Sequence, residues 1–418
     1  MLLKDAGKYL YSFTKRYSAK CCIGFSYGLS FPLTLVVLDL WLKDSGVSNA
    51  IIGIFSIFHW PFIFKFMWGV LIENYDIPYL TQKVGRDRSW IIIGHLILLV
   101  GIIGMAHSDP SSHLPELIFF TSLTALGDGC KDVALYPYQI SKMNSSQLGY
   151  VAGVVGFGHR IGTIVTKVST LYLASIFNWK IAYLVAALSI SLLLILILSI
   201  QPPKKRRKNN EGSRISVHDS IKRSLIIPFK KIIKMKHGPH VLSVLILYKS
   251  ADFMMQKMSR PFLLEIGFSK IEIANIVQLY GTAAVIVGGL VSSHFIRKVG
   301  IANAMFYFGI CHAISFFSYL IFIKTGAVFL SLGLVTLYEA FTGGCVTTAF
   351  LAFLYTKCKT GSLYALFWAL HEISGILFMG SSGIIVDSVG WKLYFILISL
   401  IYMTILGGLY IILRRITL

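Results

Sequence analysis

The chain has 418 residues, 56% of them apolar, with a mean hydropathy of +0.72 and a formal net charge of +21. A soluble domain is about 45–50% apolar, so this composition excludes one and indicates a polytopic membrane protein. The basic excess raises a nucleic-acid partner, which its distribution along the chain argues against.

The N-terminus opens with Lys4, Asp5 and Lys8 and has no short apolar core with a cleavage site, so no removable signal peptide is expected. Twelve apolar segments follow, at 18–43, 49–72, 89–107, 114–140, 147–176, 179–201, 240–265, 271–296, 300–323, 326–356, 361–386 and 391–413. At about 20 residues or more, each can cross a hydrocarbon core of about 30 Å. The runs are long and do not alternate, which rules against transmembrane β-strands. The expected fold class is an all-α integral membrane protein with twelve transmembrane helices.

Residues 201–239 form the one long polar stretch, beginning at Pro202-Pro203. They divide the chain into an N-terminal six-helix bundle (1–200), a basic cytoplasmic linker (201–239) and a C-terminal six-helix bundle (240–418). With both termini placed in the cytoplasm, the cytoplasmic segments hold 27 Lys and Arg, and the outer loops hold five: Lys43, Lys180, Lys270, Lys324 and Lys392. That asymmetry sets the orientation by the positive-inside rule. The run Lys204-Lys205-Arg206-Arg207-Lys208 then reads as an orientation signal rather than a nuclear-localisation or nucleic-acid patch.

The two halves echo each other. Gly46-Val47-Ser48 recurs as Gly267-Phe268-Ser269, and Gly69-x-Leu71 as Gly288-x-Leu290. His159-Arg160-Ile161 with Trp179-Lys180 recurs as His371-Glu372-Ile373 with Trp391-Lys392. The offsets of 221, 219 and 212 residues share one register, which points to a duplicated six-helix unit.

Thirteen charged residues sit inside the apolar segments: Lys65, Lys131, Arg160, Lys167, Lys249, Lys257, Arg260, Asp39, Asp128, Asp132, Asp252, Glu339 and Glu372. Facing lipid, each would cost about 2.5–3.5 kcal/mol, on the order of 40 kcal/mol for the set. They are therefore expected to face a bundle interior or a wet cavity, in pairs, and to mark a substrate or proton path.

In the fourth segment Asp128 and Asp132 share a face at i,i+4. Two carboxylates that close resist simultaneous ionisation, which suits a proton carrier; the bland reading is that Asp132 only pairs a neighbouring cation. In the seventh, Lys249, Asp252, Gln256 and Arg260 share one face. They read either as a polar cavity wall with Lys249 toward an anion or as a structural ion pair. Lys257 and Arg260 can snorkel to the surface, and Asp39 near the outer end of the first segment can be wet. Arg160, Thr163 and Lys167 share a face of the fifth segment. Arg160 can hold a carboxylate bidentately or form a gating salt bridge, its repeat-mate Glu372 being acidic. Lys65 and Glu339 have no sequence-local partner. Tyr27, Tyr136, Tyr138 and Tyr248 lie near the polar stripes and serve either packing or sugar stacking. Gly149, Gly153, Gly156, Gly158 and Gly162 suit close helix packing.

The six cysteines have no metal-ligand spacing and there is no His-Glu-x-x-His pair, so no metal, cofactor or catalytic site is expected. That argues against a membrane enzyme.

Two six-helix halves joined by a long cytoplasmic loop resemble the major facilitator superfamily, a resemblance that implies a substrate site at the repeat interface and alternating access. Its loop signature survives in worn form as Gly69-Val70-Leu71-Ile72-Glu73-Asn74 with Gly85-Arg86-Asp87-Arg88, and as Gly289-Leu290 with Arg297-Lys298. The resemblance implies gating roles for Glu73, Arg86, Arg88 and Arg297. Within the superfamily the chain resembles the AmpG-type muropeptide permeases over about residues 16–405. The stretches that carry this are Gly24-Phe25-Ser26-Tyr27-Gly28-Leu29, Pro61-Phe62 with Lys65-Phe66-x-Trp68, and Gly158-His159-Arg160-Ile161-Gly162. Leu247-Tyr248-Lys249-Ser250-Ala251-Asp252 with Pro261-Phe262-Leu263-Leu264, and Glu339 with Gly343-Gly344, complete the set. The fourth segment departs from the pattern: it keeps the first Asp as Asp132 but has Tyr136 and Gln139 where the family commonly has Asp and Arg.

The resemblance implies import of anhydro-muropeptides, N-acetylglucosaminyl-1,6-anhydromuramic acid with or without peptide, by proton symport across a bacterial inner membrane. Lys249, Arg160, Lys65, Tyr136 and Gln256 are then expected to bind substrate. Asp128, Asp132, Asp252 and Glu339 are expected to couple protons. Glu73, Arg86, Arg88, Arg297 and Glu372 are expected to gate. The partners expected are a small anionic solute, protons and the bilayer, with no nucleic acid and a monomeric chain. Transport of another organic anion, such as an acyl-CoA, is the alternative. A non-transporting sensor is the other class, which the short 201–239 segment argues against.

Overall fold

The computed structural model describes residues 17–63, 68–69, 71–72, 75–140, 148–200, 227–234, 237–357 and 361–417, and helix is the regular structure among them. The helices are labelled in chain order. α1 is Tyr17–Asp44, and α2 runs from Asn49 through the 3-10 turn Phe55–His59 into Trp60–Ile63. Then come α3 (Arg86–His107), α4 (Leu114–Ile140), α5 (Leu148–Ile176) and α6 (Trp179–Ser199). α7 comprises Gly238–Leu247 and Ser250–Glu265, and α8 is Lys270–Val299 with a π-helical stretch at Ile273–Tyr280. α9 (Ile301–Phe317) and α10 (Phe329–Lys357) precede the long helix Gly361–Thr417. That helix breaks at Gly390 into α11 (361–389) and α12 (391–417).

Seven stretches among the described residues are long and apolar enough to cross a membrane, one of them joining α11 and α12. α4, α5 and α7, which carry most of the intramembrane charges, are not among these seven. In α4 and α5 the polar side chains lower the hydropathy, and in α7 the break at Tyr248-Lys249 leaves pieces of 10 and 16 residues.

The chain falls into two compact units. One is Met1–Leu38 with His59–Ser216, and the other is Asp39–Phe58 with Val217–Leu418. The segment Asp39–Phe58, which sequence order places in the first half, thus packs with α7 and α11.

The repeat is written into the caps. Ser48 accepts from the Ile51 amide at the start of α2, and Ser269 accepts from the Glu272 amide at the start of α8, 221 residues on. Ser269 and Glu272 form a full capping box. α3 and α9 each start after a glycine in the same left-handed geometry, Gly85 at φ 87°, ψ 158° and Gly300 at φ 81°, ψ 162°. A side chain at either position would be strained, which explains why both are glycine.

Within the first unit, α1 and α5 touch backbone to backbone. A Cβ on Gly24 or Gly28 would collide with Val155 or His159, and one on Gly158 or Gly162 with Cys21 or Phe25. Small residues permit this approach. Gly153 and Gly156, by contrast, have no atom within 4 Å of an added Cβ, so they leave an open face rather than a packing seam. The second unit repeats the device between α8 and α10 at Gly288 and Gly344.

α1 is interrupted by the 3-10 turn Phe31–Thr34, where Pro32 lacks an amide donor. Side chains from other helices satisfy carbonyls around this break. Thr166 donates to Leu29 O at 3.0 Å, Tyr183 to Leu33 O at 2.8 Å and Lys131 to Ser26 O at 3.0 Å. α7, the repeat-mate of α1, is likewise broken at Tyr248-Lys249, and Ser374 donates to Ile246 O at 2.7 Å. Both breaks place polar groups in the helix-packed interior, and the polar centres form beside them.

Candidate functional site

The first centre belongs to α4. Asp128, Lys131 and Asp132 follow i, i+3, i+4 spacing, so they share one face. Gly94 and Gly127 let α3 approach α4 at backbone distance, which buries that face. Lys131 is 1% exposed, and its Nζ lies 2.7 Å from Asp128 Oδ1 and 3.7 Å from Asp132 Oδ1. It also donates to Ser30 Oγ at 2.8 Å and to Ser26 O, and Ser30 donates to Asp128. An ammonium has three donors, and here all are engaged. The ammonium stands between the two carboxylates, so the repulsion expected of an isolated i,i+4 acidic pair is compensated. Tyr27 donates to the Asp132 carbonyl at 3.2 Å and receives a hydrogen bond from Gln139. Tyr136, four residues beyond Asp132, is 58% exposed.

On α5, Arg160 is exposed on the side that carries Gly153 and Gly156. It makes no hydrogen bond or ion pair with any described residue. Lys167 is half-buried and has an interaction partner.

The second centre lies in the other unit, on α7. Asp252 is buried and takes three donors. Lys249 Nζ lies 2.8 Å from Oδ2, Gln256 Nε2 2.8 Å from Oδ2 and His312 Nε2 3.0 Å from Oδ1. Lys249 also donates to Thr347 at 2.9 Å and stands 6.0 Å from the Phe253 ring centre. His312 Nδ1 is 2.9 Å from Thr342 Oγ1. Glu339 is half-buried on α10, within electrostatic reach of His312, Asp252 and Arg260. The seventh-segment stripe therefore forms one network from Lys249 to Gln256, and Arg260 continues it by donating to the Gln256 carbonyl at 2.5 Å.

Three expectations change. Asp39 is not wet and Lys257 does not snorkel: they form a buried ion pair at 2.5 Å. Arg260 is half-buried beside that pair rather than at the surface. The reason is the packing of Asp39–Phe58 against α7, which brings a carboxylate to Lys257 where sequence order showed none. Further links follow along the same segment. Lys43 pairs with Glu265, Lys270 with Asp44 at 2.6 Å, and Asn49 Nδ2 with Asp387 Oδ1 at 2.8 Å.

Of the gating set, Arg88 donates to the Leu198 and Ile200 carbonyls, both at 3.1 Å, and so closes the C-terminal end of α6. Arg86 and Arg297 are exposed at the start of α3 and the last turn of α8, and Glu372 is half-buried on α11. Lys65 and Glu73 lie outside the described residues.

Sequence reading missed three buried residues. Lys20, counted with the cytoplasmic charges, is 6% exposed and donates to the Tyr138 carbonyl. His95 on α3 and His312 on α9 are both 0% exposed. Among the described residues no cluster of three His, Cys, Asp or Glu could hold a metal ion.

Membrane-length helices, a duplicated unit and buried ion-paired centres define a polytopic solute transporter rather than an enzyme. The chain belongs to the Major Facilitator Superfamily, whose model matches residues 21–379. Within it, the chain is similar to AmpG-type transporters. It is 27% identical over 380 residues to the putative transporter AmpG 4 of Rickettsia felis, covering 90% of this chain and 91% of that one. It is 26% identical over 398 residues to the anhydromuropeptide permease of Escherichia coli (strain K12), covering 94% of this chain and 78% of the relative. In fold it is similar to a POT family transporter solved with 5-aminolevulinic acid, with TM-score 0.70 and 14% identity, covering 96% of each chain. It is also similar to a D-xylose-proton symporter, with TM-score 0.66 and 13% identity, covering 97% of each chain.

Proposed function

We propose that this transporter imports anhydro-muropeptides, GlcNAc-1,6-anhydroMurNAc with or without peptide, across a bacterial inner membrane by proton symport, with both termini cytoplasmic. The observation that carries the reading is the contrast between free and committed cations. Lys131 and Lys249 are neutralised by Asp128 and Asp252, whereas Arg160 has no partner among the described residues. A guanidinium without a partner among the described residues, on a face opened by two glycines, suits a substrate carboxylate held bidentately.

In the first unit Arg160 is then the primary anion site, with Tyr136 as an aromatic contact and Lys65 as a further cation; in the second unit Gln256 and Lys249 bind substrate. Lys249 becomes available to an anion when a proton reaches the Asp252 centre, since neutralising Asp252 loosens its hold on the ammonium. Asp128, Asp132 and Glu339 are the remaining proton carriers, and Glu73, Arg86, Arg88, Arg297 and Glu372 the gating set. This arrangement couples proton binding to anion binding in a monomer, without a cofactor.

The test is uptake of labelled anhydro-muropeptide into a permease-null bacterial cell, with and without a protonophore. Uptake abolished by the protonophore is expected. The α4 departures at Tyr136 and Gln139 favour a second reading, another organic anion such as an acyl-CoA. Absence of muropeptide uptake at good expression would select it.

A further inference from the structure

Each unit holds a fully buried histidine, His95 on α3 and His312 on α9, and the two are bonded differently. His95 Nδ1 faces the Ile91 carbonyl at 2.8 Å. A carbonyl only accepts, so Nδ1 carries the ring proton. Nε2 is buried and has no hydrogen-bond partner. A second ring proton there would be an unsatisfied donor in a dry interior, so the site is built for a neutral ring.

His312 has a partner at each nitrogen, Asp252 Oδ1 at Nε2 and Thr342 Oγ1 at Nδ1. The Thr342 hydroxyl also lies 2.8 Å from the Tyr338 carbonyl and 3.0 Å from the Glu339 carbonyl. With one ring proton, Nε2–H donates to Asp252 and Nδ1 accepts from the Thr342 hydroxyl. With two, Nδ1–H donates to Thr342 Oγ1, and the hydroxyl turns to donate to the Tyr338 carbonyl. Every donor is satisfied in both states, and a single hydroxyl rotation separates them.

We propose that His312 is the residue of the second unit that takes up and releases the coupled proton, at Nδ1, with Thr342 as its positioning partner. This rests on the proton-symport reading and assigns its proton to an atom. The step makes and breaks one N–H bond, with water as donor on loading and acceptor on release.

The surroundings suit a visiting charge. From α7 the network presents Asp252, Lys249 and Arg260, and from α10 the Glu339 carboxylate. His371 on α11 is within electrostatic reach of Lys249 and Asp252. From α12 the buried Tyr402 ring stacks at 6.1 Å on Phe316, whose ring stands 4.7 Å from His312. α8 meets α9 through the Phe295 and Phe308 rings, 5.2 Å apart. Lys249 and Arg260 balance Asp252 and Glu339 when the ring is neutral. A loaded ring makes Asp252 the shared counter-ion of two cations, which weakens its hold on Lys249.

The experiment titrates the full-length protein, labelled with 13C,15N-histidine in lipid nanodiscs, from about pH 5 to about pH 8. The His312 and His95 signals are assigned from His312→Gln and His95→Gln. His312 is expected to pass from one to two ring protons, and His95 to keep one. In proteoliposomes, His312→Gln is expected to lower pH-gradient-driven accumulation of labelled GlcNAc-1,6-anhydroMurNAc about tenfold or more, and exchange by less. Thr342→Val removes the switching hydroxyl and should move the proton dependence of uptake about one pH unit toward acid, with Thr342→Ser restoring it.

A His312 ring that holds one protonation state throughout, or a His312→Gln protein that accumulates like wild type, overturns the proposal. A wild-type protein that exchanges the probe but does not accumulate it overturns proton symport itself, and this assignment with it. If wild type leaves the probe untransported, the ring titration alone decides.

Discussion

Asp39 and Lys257 stand 218 residues apart in sequence and meet in a buried ion pair, Nζ to Oδ1 at 2.5 Å, with side-chain exposures of 5% and 2%. Removing one partner strands the other charge in an apolar interior, which costs about 3–5 kcal/mol. Lys257→Met is therefore expected to lower the melting temperature of the purified protein sharply, and Asp39→Asn in the same background to recover most of the loss. A double-mutant cycle measures this coupling. Additive losses would show that the pair does not act as a unit.

The α4 centre makes a parallel prediction in the first unit. Lys131 neutralises Asp128 and lies 3.7 Å from Asp132, while also supplying hydrogen bonds to Ser30 and Ser26. Lys131→Met should destabilise by about 3–5 kcal/mol, and Asp128→Asn should partly rescue it. Thermal unfolding of the two variants checks this. A Lys131→Met protein as stable as wild type would mean that the acids are neutralised otherwise.

Arg160 should behave in the opposite way. It is exposed and has no partner among the described residues, so Arg160→Gln is expected to change stability by no more than about 0.5 kcal/mol. Its uptake of muropeptide should nevertheless collapse, and Arg160→Lys should not restore it, because an ammonium lacks the planar fork that grips a carboxylate. Normal uptake by Arg160→Gln would remove Arg160 from the substrate site.

The glycines of α5 separate into two classes by the space around them. Gly158→Ala drives a Cβ into the Cys21 backbone, as Gly28→Ala does into that of His159, and overpacking of this kind costs about 1–3 kcal/mol. Gly153→Ala and Gly156→Ala meet no atom within 4 Å. They should leave stability unchanged or raise it by about 0.5–1 kcal/mol through helix propensity. Melting temperatures of the four variants in one detergent give the comparison.

Much of the architecture was legible without coordinates. Ser48 and Ser269 cap corresponding helices as the Gly46-Val47-Ser48 echo implied. Trp179 and Trp391 open α6 and α12 as the third echo implied. The Lys249–Asp252 pair was readable because a helix places residues three and four apart on one face. The Asp39–Lys257 pair was not, nor were the two partners of His312 on α7 and α10, since those contacts join helices far apart in sequence.

Composition, segment length and the repeat register by themselves determined an all-helical, duplicated membrane protein, because these properties depend on local chemistry summed along the chain. Tertiary structure alone decided which charges are committed and which are free. Lys257 lost its expected route to the surface when the segment Asp39–Phe58 packed into the second unit. Arg160 has no partner among the described residues and lies on a helix face where Gly153 and Gly156 leave open space. Charge pairing depends on distances between helices, and no local pattern encodes those distances.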